Sequence, residues 1–229
     1  MFSLHGYGPS IFEGTILTLE VSLVSLFIAM VLGMGGALAK LSSSAVLKGL
    51  ATVYTTVIRG IPDLVLMLLV FFGGQVLVNQ VGPVFGYEEY IDINPFIAGV
   101  LTIGFIFGAY MTETFRGAII AVNKGQLEAG YAYGMNSFKV FRRILFPQMV
   151  RHALPGFGNN WLVLVKTTAL VSIIGLDDMV RKASMAAGAT RMPFTFYVVV
   201  AINFLLITTV SIYLLKYLED RYSMGVRRD

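Results

Sequence analysis

Cysteine is absent from the 229-residue sequence, tryptophan occurs once, histidine twice, and only 13% of the residues are charged. Each shortage excludes something. Without a thiol there is neither a disulfide framework nor a thiolate metal site. His5 and His152 lie far apart and no HExxH-type spacing exists, which removes the helical zinc pair. No GxxxxGK[ST] loop is present to cradle nucleotide phosphates. No nucleophile–base pair sits at a recognisable spacing, so a membrane-bound enzyme finds little support. Tandem repeats, low-complexity tracts and linkers are missing too, and residues 1–229 are expected to form one membrane domain. What the chain has instead is apolar bulk: 56% hydrophobic residues, 17 phenylalanines and a mean hydropathy of +0.77. A soluble domain of this size could not hide that much apolar surface. The class is therefore an all-α integral membrane protein, because helices satisfy their own backbone in a lipid bilayer.

A span needs about 20 mainly apolar residues. Five segments qualify: 16–38, 64–81, 96–115, 157–176 and 194–215. The stretch up to Ser10 carries no Lys or Arg, and the apolar run behind it is too long for a cleaved signal peptide. A retained first span is expected. The fourth segment is the most polar, interrupted by Asn159, Asn160, Lys166, Thr167, Thr168 and Ser172. Such a helix must face protein or a polar cavity.

Basic residues then set direction. Lys40, Lys48 and Arg59 follow the first span, Arg116, Lys124, Lys139, Arg142, Arg143 and Arg151 the third, and Lys216, Arg221, Arg227 and Arg228 the fifth. The other connections hold Arg181, Lys182 and Arg191, and the loop with Glu88, Glu89 and Asp92 has no base. An odd number of spans with this bias puts the N-terminus outside and the C-terminus in the cytoplasm. The net charge of +4 follows from that topology and needs no nucleic-acid partner.

Residues 121–155 are too long and too basic for a simple turn. Lys124-Gly125-Gln126 reads as a turn, and the residues from Leu127 to Tyr133 have helical composition. Gly134 can break that helix, and Asn136 or Ser137 can cap the next. Phe138, Phe141 and Leu145 recur at three- and four-residue spacing, so one face of the second helix is apolar. Lys139, Arg142 and Arg143 occupy the rest, and Pro147 limits continuation. Two short helices at an angle, one with an apolar face, make a plug for a groove on another protein. An amphipathic helix lying on the membrane, held by its bases, is the other reading of this pattern.

Glu128-Ala129-Gly130, with Gly134 six residues after the glutamate, Ile144 ten further on, then Phe146-Pro147, resembles the "EAA" loop of ABC-importer permeases. Gly130 stands for the motif's third letter and Phe146 for its leucine. Arg59-Gly60-Ile61-Pro62 is similar to the Arg-Gly-Thr-Pro start of the second span in amino-acid permeases. Ala109-Tyr110, Glu113 and Arg116-Gly117 resemble their Ala-Tyr-x-x-Glu-x-x-Arg-Gly signature. Leu154-Pro155 with Asn159, Lys166 and Ser172 follows their fourth-span pattern. The likeness covers most of residues 11–228 and points to permeases for polar and basic amino acids, of the histidine and lysine/arginine/ornithine Q-subunit type. Asn123 departs from a frequent proline, and Asp63 from a usual apolar residue.

The resemblance implies a five-helix, MetI-like type I ABC-importer permease fold, N-out and C-in, in a bacterial inner membrane. It implies that the loop docks an ATPase through Glu128, Ala129, Gly134, Ile144 and Pro147. The partners it implies are a second permease subunit, similar or identical, two ABC ATPase subunits, and a periplasmic or extracellular amino-acid-binding protein. The cargo would be polar, basic L-amino acids. ATP would be used by the partner ATPase, with no cofactor on this chain and no catalytic residue.

Four carboxylates lie in or beside apolar segments: Glu20, Asp63, Glu113 and Asp177. A charge at mid-bilayer costs at least ~2.5–3.5 kcal/mol, so each needs a partner or water. One reading is a path for a cationic cargo, formed by Asp63 and Glu113 with Lys166, Thr167 and Ser172. The other is internal: Glu113 paired with Arg116 or Lys166, and Asp63 favouring a helix N-terminus. A self-sufficient secondary transporter or channel using these carboxylates is the alternative function, although five spans offer no inverted repeat. Gly33, Gly35, Gly36 and Ala37, with Gly104 and Gly108, form small-residue faces for close packing within the chain.

Overall fold

Small residues decide how the first helix packs. The computed structural model describes residues 4–87 and 89–223; Glu88, Arg227 and Arg228, used in the charge count, lie outside them. Helix α1 (Gly8–Leu41) opens on Pro9 and buries Gly14, Thr18, Ser22, Ser25, Ala29, Gly33 and Ala37, a stripe at three- and four-residue spacing. It lies along α4 (Pro95–Ala121), whose N-terminus is capped by the Asn94 side chain accepting from Phe96 N at 2.8 Å. A Cβ on Gly104 would sit 2.7 Å from Ile28 Cγ2, and one on Gly108 would sit 2.9 Å from Leu32 Cβ. On the other side, Cβ atoms on Gly33 and Gly36 would collide with Met111 and Thr112. The glycines let the backbones meet. Gly35, grouped with them by sequence, faces open space. Two-thirds of α4's apolar window is buried, 67% against 11% for the outlying helices, so α4 is the axis of the molecule.

Between them lies a helix the sequence reading did not place. Helix α2 (Ala45–Gly60) is capped by Ser44 and has three faces. Ala51, Thr55 and Ile58 are buried on α1 and α4, while Lys48, Thr52, Thr56 and Arg59 form a polar side. Val46, Leu50, Val53 and Val57 form an exposed apolar stripe. Ile61-Pro62 is extended, as a proline lacking its N–H favours, and α3 (Asp63–Val81) begins after it. A short 3-10 turn (Gly82–Phe85) and Gly86, at φ 85, reverse the chain. The returning segment is pinned to α3 by two side-chain amides. Asn79 donates to Ile91 O at 2.9 Å and accepts from Ile91 N at 2.8 Å; Gln75 donates to Ile91 O and accepts from Ile93 N at 2.9 Å.

After α4 come α5 (Lys124–Ala132), α6 (Ser137–Val140), a π turn (Phe141–Leu145) and α7 (Phe146–Thr167). The sequence expectation of a stop at Pro147 is corrected here. The helical run passes through it, because the π turn lets Phe146 N bond Phe141 O, five residues back. The proline then sits in the first turn of α7, where a missing N–H is harmless. The expected continuous helix over 157–176 is corrected too. The α-helix ends at Thr167 and tightens into a 3-10 turn (Thr168–Ser172), followed by Gly175 at φ 99. Thr168 and Ser172 hydroxyls donate to Val165 O and Ala169 O at 2.7 and 2.8 Å, so local bonds end the helix.

Helices α8 (Met179–Thr190) and α9 (Pro193–Ser223) complete the described chain. A small second core of Ile11, Met179, Ala183, Ala186, Phe196 and Val200 joins them to the start of α1. Among the described residues, four helical stretches are long and apolar enough to cross a membrane: Gly8–Leu41, Asp63–Phe85, Pro95–Ala121 and Pro193–Tyr222.

Candidate functional site

The basic segment folds as two helices at a notch. Asn123 accepts from Gly125 N at 2.8 Å and starts α5 directly, so the turn expected at Lys124-Gly125-Gln126 is already helix. That bond also explains what Asn123 does where a proline is frequent in the resembling family: it is the cap. At the other end Gly134 adopts φ 76, with Gly134 N on Tyr131 O at 2.9 Å and Met135 N on Gly130 O at 3.1 Å. This is the paired closure that a left-handed glycine gives a helix C-terminus. Asn136, not Ser137, caps α6 by accepting from Lys139 N at 2.9 Å.

The notch itself is Gly130. A Cβ there would lie 2.6 Å from Ile144 Cδ1 and 3.2 Å from Val140 Cγ2. Gly130 and Ile144 therefore form one contact, joining α5 to the π turn across the bend. Glu128 and Ala129 are exposed on the outer side of α5, and Pro147 is exposed at the start of α7. Tyr133 at 87%, Phe138 at 67%, Tyr131 at 51% and Phe141 at 41% exposure leave a bare aromatic surface around them. Leu145, expected on that face, packs instead against the main core.

The second constellation is a polar recess of about 350 Å³ lined by Lys40, Thr55, Thr56, Arg59, Gly60, Tyr110 and Glu113, from α1, α2 and α4. Glu113 is held twice: Lys40 donates to one oxygen, and Arg116 Nε donates to the other at 2.9 Å. Lys40 also donates to Thr55 Oγ1 at 2.6 Å. The partnership with Arg116 is the internal one expected from a three-residue spacing. Lys40 is the partner that sequence reasoning missed, because 73 residues separate it from Glu113. Arg59 lies over the Tyr110 ring, 5.4 Å from its centroid, and makes no ion pair among the described residues. Asp63, in the first turn of α3, is half-buried and within electrostatic range of the Tyr110 hydroxyl. The Tyr54 hydroxyl donates to Phe105 O at 2.6 Å.

The other expected path residues are not brought to this recess. Lys166 is exposed on α7 without an ion pair among the described residues. Thr167 donates to Val163 O at 3.1 Å and Ser172 to Ala169 O, each within its own helical segment. Glu20 is exposed on α1. Asp177 is exposed and paired with Arg181 at 2.9 Å. Its neighbour Asp178 is fully buried instead, capping α8 by accepting from Arg181 N at 3.0 Å.

Residues 25–224 match the family described as binding-protein-dependent transport system inner membrane component. The histidine/lysine/arginine/ornithine transport system permease protein HisQ of Salmonella typhimurium is 51% identical over 98% of this chain and 98% of its own. The octopine transport system permease protein OccQ of Rhizobium meliloti is 43% identical over 99% of this chain and 96% of its own. Among solved structures, an amino acid ABC transporter crystallised with histidines superposes with a TM-score of 0.82 at 34% identity, covering 96% of this chain and 98% of that one. The inward-facing MetNI methionine ABC transporter, at 17% identity and a TM-score of 0.65 over 95% of this chain and 96% of that one, shares the fold.

Proposed function

Because the chain belongs to the family of binding-protein-dependent transport system inner membrane components, we propose that it is the permease subunit of an ATP-binding-cassette importer for polar, basic L-amino acids of the histidine, lysine, arginine and ornithine type. Its all-helical fold is the MetI-like type I importer fold. It is a transport subunit, and ATP hydrolysis belongs to separate subunits. The observation that carries the cargo class is the near-full-length likeness to HisQ.

The finer organisation is part of the proposal. One membrane domain crosses the bacterial inner membrane five times, α7 being the polar fourth span that faces protein or a polar cavity, with the N-terminus outside and the C-terminus in the cytoplasm. A second permease subunit completes the path, two ATPases sit inside, and a soluble amino-acid-binding protein delivers cargo outside. The loop of α5 and α6 docks on an ATPase through Glu128, Ala129 and the aromatic surface beside them. Gly134, Ile144 and Pro147 hold its shape. Supporting this reading, the aromatic side chains are bare although both loop helices are capped and Gly130 packs on Ile144.

Two experiments test it. In reconstituted vesicles with partner ATPase and binding protein, uptake of arginine or histidine must depend on ATP; ATP-independent uptake by the chain alone would favour the secondary-transporter reading. In a chain without other thiols, Glu128→Cys should cross-link to the ATPase. A cysteine that cross-links only to lipid probes would place the loop on the membrane surface. Asp63 is proposed to meet the cargo's cationic end, so Asp63→Asn should slow lysine and arginine uptake by about tenfold. Equal uptake by the variant would reduce Asp63 to an acid at a helix start.

A further inference from the structure

The recess between α1, α2 and α4 holds an imbalance of charge. Its walls carry Lys40, Arg59 and Glu113, with Arg116 bonded to Glu113 from the side. Glu113 spends both oxygens on Lys40 and Arg116, so its carboxylate is already satisfied. Lys40 is likewise spent on Glu113 and Thr55. Arg59 is different. Its guanidinium rests on the Tyr110 ring, with no carboxylate bonded to it among the described residues, and it lines the open recess. Thr56, on the polar side of α2, and Gly60 line the recess beside it. A side chain added at Gly60 would meet nothing, so the backbone there is bare.

A guanidinium fixed against an aromatic face keeps its outward N–H groups in a planar fork, which matches the two oxygens of a carboxylate. Asp63, outside the recess lining but within electrostatic range of the Tyr110 hydroxyl, carries the opposite sign. A group with separated charges, positive at one end and negative at the other, is what such an arrangement accepts.

We propose that Arg59, held on Tyr110, binds the α-carboxylate of the amino acid in transit. This rests on the importer reading and deepens it. The site recognises what all amino-acid cargoes share, and discrimination between side chains falls to other groups, such as Asp63. A lysine at this position keeps the charge but loses the fork. A glutamine loses both.

The test uses the assembled permease–ATPase complex without binding protein, so that external selection does not mask the effect. Direct binding of radiolabelled arginine is measured in competition with unlabelled arginine and with agmatine, which has the same guanidinium tail but no carboxylate. Arg59→Gln and Arg59→Lys are compared as intact complexes, verified by gel filtration. The expected results are that agmatine competes at least about tenfold more weakly than arginine in the wild type, and that Arg59→Gln weakens arginine binding at least about tenfold while erasing that preference. Arg59→Lys should recover part of both. Agmatine competing as well as arginine in the wild type overturns the proposal. So does arginine binding unchanged in Arg59→Gln, including the case where that variant loses only a co-purifying anionic phospholipid, which would make a headgroup phosphate the anion. A wild-type complex that takes up no amino acid with any binding protein refutes the importer reading itself; normal uptake with unchanged Arg59→Gln refutes only the carboxylate site.

Discussion

At the scale of single residues, burial separates groups that sequence cannot. Asp177 and Asp178 are adjacent, yet the first is exposed and paired and the second is wholly enclosed, with no hydrogen-bond partner for its Oδ2 among the described residues. Asp178 lies outside the four long apolar helices. Burial pushes its carboxyl up from 3.8 to about 6, against the opposing pull of the Arg181 and Val180 backbone N–H groups and the Arg181 charge, with Asp177 adding a smaller upward push. A carboxyl that holds its proton more tightly folded than unfolded favours the fold while protonated. That contribution is complete below the unfolded value of 3.8 and is lost as pH rises through about 6. Asp178→Asn keeps the capping oxygen and removes the titration. The thermal midpoint of the variant in detergent should therefore exceed that of the wild type at pH 7 and converge with it near pH 4. A difference independent of pH would mean that Asp178 does not titrate in this range. Neither this residue nor Lys40 was legible in the sequence. Asp178 looked equivalent to its neighbour, and Lys40 finds Glu113 only through the packing of α1 on α4.

At the scale of elements, spacing was legible and continuity was not. The glycines of α1 and α4 recur on one helical face, so their mutual packing follows from period alone, except that Gly35 turns away. Gly33→Leu should destabilise the detergent-solubilised protein by roughly 1–3 kcal/mol through overpacking against Met111. Gly35→Leu should change it by less than about 0.5 kcal/mol as far as this chain alone is concerned. Thermal unfolding of the two variants side by side decides; equal losses would show that α1 and α4 do not approach as described. Helix α2 escaped the sequence reading because its apolar residues are split between a buried face and an exposed stripe, so no long apolar run announces it. The π turn escaped because Pro147 reads as a stop, and only an extra residue in the preceding turn reconciles it with a continuing helix. The loop of α5 and α6 was legible in part because some of its signals are local, a helix-breaking Gly134 and the Asn136 cap, whereas the Asn123 cap and the Gly130–Ile144 contact were not read from the sequence.

At the scale of the whole molecule, burial is distributed unequally. Helix α4 is enclosed, whereas α3 and α9 each bury only 11% of their apolar windows, so their surfaces are left for lipid or for other subunits. The basic residues on α2, α5 and α6 lie far from the base-poor turn of residues 82–94 along the chain. An epitope placed after Asp229 should be reached only from the cytoplasmic side, and one inserted between Gly86 and Tyr87 only from outside. Labelling of both from the same side of intact cells would refute the five-span arrangement. The turn between Gly82 and Asn94 also has a mechanical property. Gln75 and Asn79 clamp its returning limb at Ile91 and Ile93, tying that limb to the outer end of α3. At 1.5 Å per residue α3 is roughly 28 Å long, with Asp63 at its opposite end. The amide clamp thus works as a splint, holding the returning limb against α3 by side chains alone, at the end of the helix farthest from Asp63.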